Sequence, residues 1–140
     1  MKTFLKFVLN LVIYVGIVVG VLIGMPRFLA WKLETPYPLA AITSGSMWPA
    51  LHEGDLIFIE GVDRSELAVG DIVVWRNPGG FTIHRVTKRN ETTLITKGDA
   101  NFTEDEPVKY EDVIGRTYQV FGKNARVPFL GMISVYANKK

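Results

Sequence analysis

Three short segments carry the side chains of this 140-residue chain that could do covalent chemistry. Ser44-Gly45-Ser46-Met47-Trp48-Pro49 sets two hydroxyls and a glycine between an apolar run and a proline, which suits a tight exposed turn that presents a side chain. Phe81-Thr82-Ile83-His84-Arg85-Val86 alternates as a strand does, so His84 shares a face with Thr82 and Val86. Lys97-Gly98-Asp99-Ala100-Asn101, followed by Glu104-Asp105-Glu106, places carboxylates beside a turn. Each segment has an ordinary structural use as a turn, a packed strand histidine or a solvated acidic loop. Together they meet the needs of a serine nucleophile, for which a neutral imidazole takes the hydroxyl proton and a carboxylate orients that imidazole. Of the 2 histidines, His52 lies in the turn-like stretch Leu51-His52-Glu53-Gly54-Asp55 with no strand to hold it. His84 is the better base, because a strand fixes it.

Other chemistries have little to work with. There are no cysteines, which removes disulfide frameworks, thiolate zinc sites and cysteine nucleophiles together. Neither a metal-ligand cluster nor a phosphate-binding glycine loop is present in the sequence, so no metal and no cofactor is expected. Lys+Arg 16 against Asp+Glu 14 gives a net charge of +2 that is spread along the chain, so a nucleic-acid partner has no support.

Two parts must position these residues. From Phe7 to Met25 the chain is uncharged and almost wholly apolar, with Asn10 its one strongly polar side chain. As a helix it spans roughly 28 Å, close to the hydrocarbon core of a bilayer. Residues 1–32 are therefore expected to be a single amino-terminal membrane anchor. The alternative is a secretory leader removed after Ala30 or Ala41, although the apolar block is longer than such leaders carry. Gly16, Gly20 and Gly24 fall four apart, on one helix face, where a partner helix could approach closely. Lys2 and Lys6 on one side and Arg27 and Lys32 on the other leave orientation open. Pro26, Pro36 and Pro38 are expected to break the helix, with Leu33 to Tyr37 a linker. Residues 33–140 then read as a mainly β, small coiled or barrel-like antiparallel domain. Its predicted strands are Leu56–Glu60, Ile72–Arg76, Phe81–Lys88, Thr92–Lys97 and Val113–Phe121, with a hairpin loop over Asn77 to Gly80, a tight turn at Asn90-Glu91 and a helical turn near Ser65 to Leu67. Leu130 to Val135 is too short for a second span.

These boxes, in this order, resemble the type I signal peptidases of the archaeal and endoplasmic-reticulum kind. The resemblance rests on Ser44 to Pro49, Gly70-Asp71-Ile72-Val73-Val74, Ile83 to Val86, Lys97 to Asn101 and Asp112-Val113-Ile114-Gly115-Arg116, and covers roughly residues 38 to 135 with the anchor ahead of it. It implies that Ser46 is the nucleophile and His84 the general base, where the bacterial branch has lysine. It implies that Asp99 and Asp105 both lie near the histidine, Asp105 orienting it and Asp99 supporting. For Asp105 to stay ionised, its neighbours Glu104 and Glu106 must point into water. The Ser46 backbone N–H and the Ser44 hydroxyl are the implied oxyanion donors. Trp48 stands where this branch commonly has Glu, and with Met47 it suits either contact with the membrane interface or a cap on the core.

The function that follows is a membrane-bound serine endopeptidase that removes amino-terminal signal peptides from exported preproteins, cutting after small residues, with an outward-facing catalytic domain on the cell membrane or the endoplasmic-reticulum membrane. Its partners would be preprotein signal peptides and the lipid bilayer. A catalytically inactive membrane-tethered β domain acting in assembly or scaffolding is the alternative, and retention of Ser46, His84, Asp99 and Asp105 together weighs against it. A self-cleaving repressor-type peptidase fits less well, because His84 stands where those proteins use lysine. Asn90-Glu91-Thr92 and Asn101-Phe102-Thr103 are glycosylation sequons that matter only on an extracytoplasmic face, and modification of Asn101 would hinder the acid loop.

Overall fold

The apolar block is helical from Lys2 to Lys32 in a computed structural model that describes residues 1–138. It comprises α1 (Lys2–Val19), a π turn over Gly20–Gly24 and α2 (Met25–Lys32). Much of it is Val and Ile, whose branched Cβ costs rotamer freedom in a helix. None of its apolar window is buried against the rest of the chain, and it is the one helix among the described residues long and apolar enough to cross a membrane. A bilayer favours helix in such a segment, because nothing there competes for the backbone hydrogen bonds.

Pro26 does not end this helix, contrary to the sequence expectation. A proline ring ordinarily meets the carbonyl four residues back, which here is that of Leu22. That residue lies within the π turn, where the Met25 N–H reaches Gly20 O, and the wider turn makes room for the ring. The break comes instead at Leu33.

Beyond it lies a coiled antiparallel sheet. Its strands are β1 (Leu39–Ala41), β2 (Leu56–Glu60), β3 (Ile72–Asn77), β4 (Gly80–Arg89), β5 (Thr93–Lys97), β6 (Val108–Lys109), β7 (Val113–Thr117), β8 (Gln119–Val120), β9 (Lys123–Asn124) and β10 (Arg126–Val127). The order is β1-β2-β7-β3-β4-β5-β6, β10 also pairs with β2, and β8 and β9 form a separate hairpin. The fold class expected from the sequence is therefore the one present. Ile72 and Val74 enter one core cluster with Met47, Leu51, Ile57 and Ile59, while Val73 enters a second with Leu67, Val86, Leu94 and Val108. A continuous apolar run in β3 means that both faces of the sheet are covered there, as its coiling requires. Each fully buried Leu or Ile contributes roughly 1.5–3 kcal/mol.

The strand expected over Val113–Phe121 is divided. The Tyr118 N–H turns to Phe58 O, and the chain reverses at Phe121 and Gly122 with φ of 52° and 74°. Those angles make the tip of a tight hairpin, and Gly122 adopts its value without strain. The loop after β3 matches expectation more closely, with Pro78-Gly79 turning between the paired residues Asn77 and Gly80. The reversal at Asn90-Glu91 is closed by the Asn90 N–H on Thr93 O at 2.9 Å. The last described element is α3 (Met132–Asn138), a short helix not expected from the sequence.

Candidate active site

The Ser46 segment is a pair of overlapping turns held from below. Trp48 N–H bonds Gly45 O at 3.1 Å and Leu51 N–H bonds Met47 O at 2.9 Å, while Met47 and Leu51 are 1% and 0% exposed in the core. Anchoring those two side chains fixes the turn and leaves Ser46 at its surface. Met47 therefore belongs to the core and not to any lipid-facing surface, whereas Trp48, at 59% exposed, does not cap the core.

β4 carries His84 to this turn. Its Nε2 lies 3.2 Å from Ser46 Oγ and its Nδ1 2.6 Å from Asp105 Oδ2. The line is satisfied when Nδ1 carries the proton and donates to the carboxylate, leaving Nε2 free to accept from the serine. Ser44 Oγ is 3.2 Å from Ser46 Oγ. Among the described residues the Ser46 N–H has no acceptor, so a donor stands open beside the nucleophilic oxygen. A hydroxyl, an imidazole and a carboxylate in this order can activate the hydroxyl for attack on a carbonyl, and donors beside it can receive the charge that develops.

Of the two acids, Asp105 reaches His84 and Asp99 does not. Asp99 makes a two-point pair with Arg85, with Nε to Oδ1 at 2.8 Å and Nη2 to Oδ2 at 2.7 Å, and Arg85 Nη1 also donates to Gly70 O at 2.8 Å. Donating these hydrogen bonds to Asp99 holds the Arg85 guanidinium above its usual range, against the opposing effect of burial. Asp99 thus ties the acid loop to β4. Glu104 leans away from Asp105 toward Lys88 and Thr87, whose hydrogen bonds, Lys88 first, hold its carboxyl below the usual range. Glu106 is exposed. The acid loop is fixed from the other side where Ala100 N–H donates to Ser46 O at 2.8 Å. A Cβ on Gly98 would stand 2.8 Å from that same oxygen, which is why glycine is needed there.

His52 lies apart, with Nδ1 3.0 Å from Arg126 Nη1. Asn101 lines the same cavity as Ser46 and His84, while the Asn90 amide sits at the exposed β4–β5 turn, 3.3 Å from Thr93 Oγ1. Among the described residues no group of acidic and histidine side chains is arranged to hold a metal.

A cavity of about 790 Å³ opens beside Ser46 and His84, walled by Leu39 to Ala41 on one side and by Phe81 to His84 on the other. Among the described residues, each wall is a strand with part of one edge unpaired. On β1, Pro38 O and Ile42 N–H bond across to Ile59 and Asp55, so alternation turns the backbone of Leu39 and Ala41 away from β2. On β4, Val86 bonds with Gly70 and Asp71, and β5 begins to pair only at Arg85. The backbone of Phe81 and Ile83 therefore also faces the cavity. Two unpaired strand edges flanking a slot can take an extended peptide by adding it to the sheet.

Two parts of the site are not expected from the sequence: β1 as a wall, and Thr96, whose hydroxyl is 2.6 Å from Asp105 Oδ2. The available sign was a hydroxyl at an inward position of Thr93-Leu94-Ile95-Thr96-Lys97, where Leu94 sets the buried face.

Several known proteins are similar to this chain in sequence. The family described as Peptidase S24-like matches residues 26–117. The signal peptidase complex catalytic subunit SEC11 of Colletotrichum graminicola is 34% identical over 128 residues, covering 81% of this chain and 74% of that relative. The sec11 catalytic subunit of Neurospora crassa is 31% identical with the same coverage. The SEC11C catalytic subunit of Homo sapiens is 32% identical over 116 residues, covering 72% of this chain and 57% of that protein.

Proposed function

The chain belongs to the Peptidase S24-like family and, within it, to the signal peptidase catalytic subunits, and from that membership and its geometry we propose how it works. The protein is a serine endopeptidase that removes signal peptides. Ser46 attacks the scissile carbonyl while His84 takes its proton through Nε2. Asp105 holds the ring by Nδ1 and stabilises the imidazolium that forms. The Ser46 N–H and the Ser44 hydroxyl receive the oxyanion, and His84 then protonates the leaving amine. Asp99 supports the site only by pairing with Arg85. The observation that carries this reading is the continuous line from Ser46 Oγ to His84 to Asp105 at 3.2 and 2.6 Å.

The slot between β1 and β4 receives the segment before the scissile bond as an added strand. In an extended peptide the first and third residues point the same way. Both therefore meet the floor beneath Ser46, which is lined by the buried side chains of Ile42 and Met47. A preprotein with Ala at both positions is expected to be cut, and replacing either by Trp to lower kcat/KM by about 100-fold or more. Cleavage of such a substrate series is followed by intact mass. Equal rates across the series contradict a site closed to large side chains.

Residues 1–32 anchor the chain and 33–140 form the peptidase domain on the extracytoplasmic side. The bilayer is its permanent partner, and other subunits join it as the relatives' name, a complex, suggests. The chain is expected to stay in membrane fractions through a carbonate wash at high pH, with its amino terminus intact. A mature chain that begins at Trp31 or Ile42 would instead identify the segment as a removed leader.

A further inference from the structure

The oxygen of Asp105 that holds His84 has a second donor. Oδ2 accepts from Thr96 Oγ1 at 2.6 Å as well as from His84 Nδ1 at 2.6 Å, and the Asp105 N–H donates to Thr96 O at 2.8 Å. One residue thus grips both the backbone and the side chain of Asp105. Thr96 is 0% exposed and sits directly across from Val86 on the neighbouring strand, on the inward face with Leu94. A buried hydroxyl at such a position costs free energy unless it is paired, and a valine of the same shape would fill the space without that cost. The partner it has found is the carboxylate, in a loop that enters the sheet nowhere else near this point.

We propose that Thr96 is a positioning residue for the reaction, resting on the assignment of Ser46, His84 and Asp105 above. The acid loop between β5 and β6 has Asp99 tied to Arg85 at one end and Glu104 to Lys88 near the other. Neither contact sets the rotation of the Asp105 carboxylate. Thr96 does: its hydroxyl and carbonyl together fix Oδ2 opposite Nδ1, which keeps the imidazole in the tautomer whose Nε2 faces Ser46. Being on β5, it transfers the rigidity of the sheet to a loop residue.

The test is a set of variants of the full-length chain in detergent, assayed on one preprotein. Thr96→Val is expected to lower kcat roughly 10- to 100-fold, the scale of a hydrogen bond to a charged group, with KM unchanged. Thr96→Ser recovers most of that loss, since it keeps the hydroxyl. The decisive arm repeats Thr96→Val in Asp105→Asn, where the change should cost less than about twofold because the carboxylate it positions is gone. A merely structural threonine would lower activity equally in both backgrounds, raise KM with kcat, or fail to be rescued by serine, and any of these overturns the proposal. Ser46→Ala assayed alongside separates the two claims. If it remains active, the underlying mechanism is wrong; if it is dead while Thr96→Val turns over at the wild-type rate, only the role of Thr96 is lost.

Discussion

Asp105→Asn is expected to lower turnover by on the order of 10⁴, and Asp99→Asn by no more than about tenfold. The difference follows from what each carboxylate touches. Asp105 Oδ2 is 2.6 Å from His84 Nδ1. An amide in its place can offer an N–H to that nitrogen, which turns the ring to the tautomer whose Nε2 carries the proton and cannot take one from Ser46. Asp99 is engaged with Arg85, at the edge of the site, in a pair whose side chains are 35% and 17% exposed. Losing that pair loosens the loop without altering the imidazole. Circular dichroism should find both variants folded, so that kinetics report chemistry. A near-normal rate for Asp105→Asn beside a collapse for Asp99→Asn would reverse the two roles.

Ser46→Ala and His84→Ala are each expected to remove nearly all activity, and the double variant to lose little more than either, because the proposed nucleophile and base would act as a unit. Purified single and double variants compared on one substrate give the answer, and losses that multiply would mean that the two residues act separately. His84→Lys is not expected to restore cleavage. A lysine serves as base only when neutral, which requires desolvation, and here it would stand beside the Asp105 carboxylate, which favours its charged form.

How much of this is legible before folding depends on the range of the interactions involved. His84 and its strand are readable because alternation is local. So are the anchor, whose apolar length speaks for itself, and β2, whose predicted bounds Leu56–Glu60 are those observed. Pro26 misleads because the π turn that accommodates it depends on hydrogen bonds that leave no mark on composition. β1, β6 and β10 are too short for a periodic pattern and exist by virtue of their partners. The roles of the two acids divide on a contact that sequence cannot display, since only the coiling of the sheet brings Arg85 to Asp99 and His84 to Asp105. Thr96 is the instructive miss: within β5 it resembles any inward β-branched residue, and its meaning lies in a carboxylate nine positions further along the chain.

The proposed chemistry depends most directly on the Ser46 hydroxyl. Full-length protein in detergent is incubated with a preprotein, wild type beside Ser46→Ala, and the products are weighed by intact mass spectrometry. The wild type is expected to yield the mature protein through one cut after a small residue, with the Ser46→Ala reaction leaving the preprotein whole. Cleavage at that same bond by Ser46→Ala at a comparable rate would contradict it.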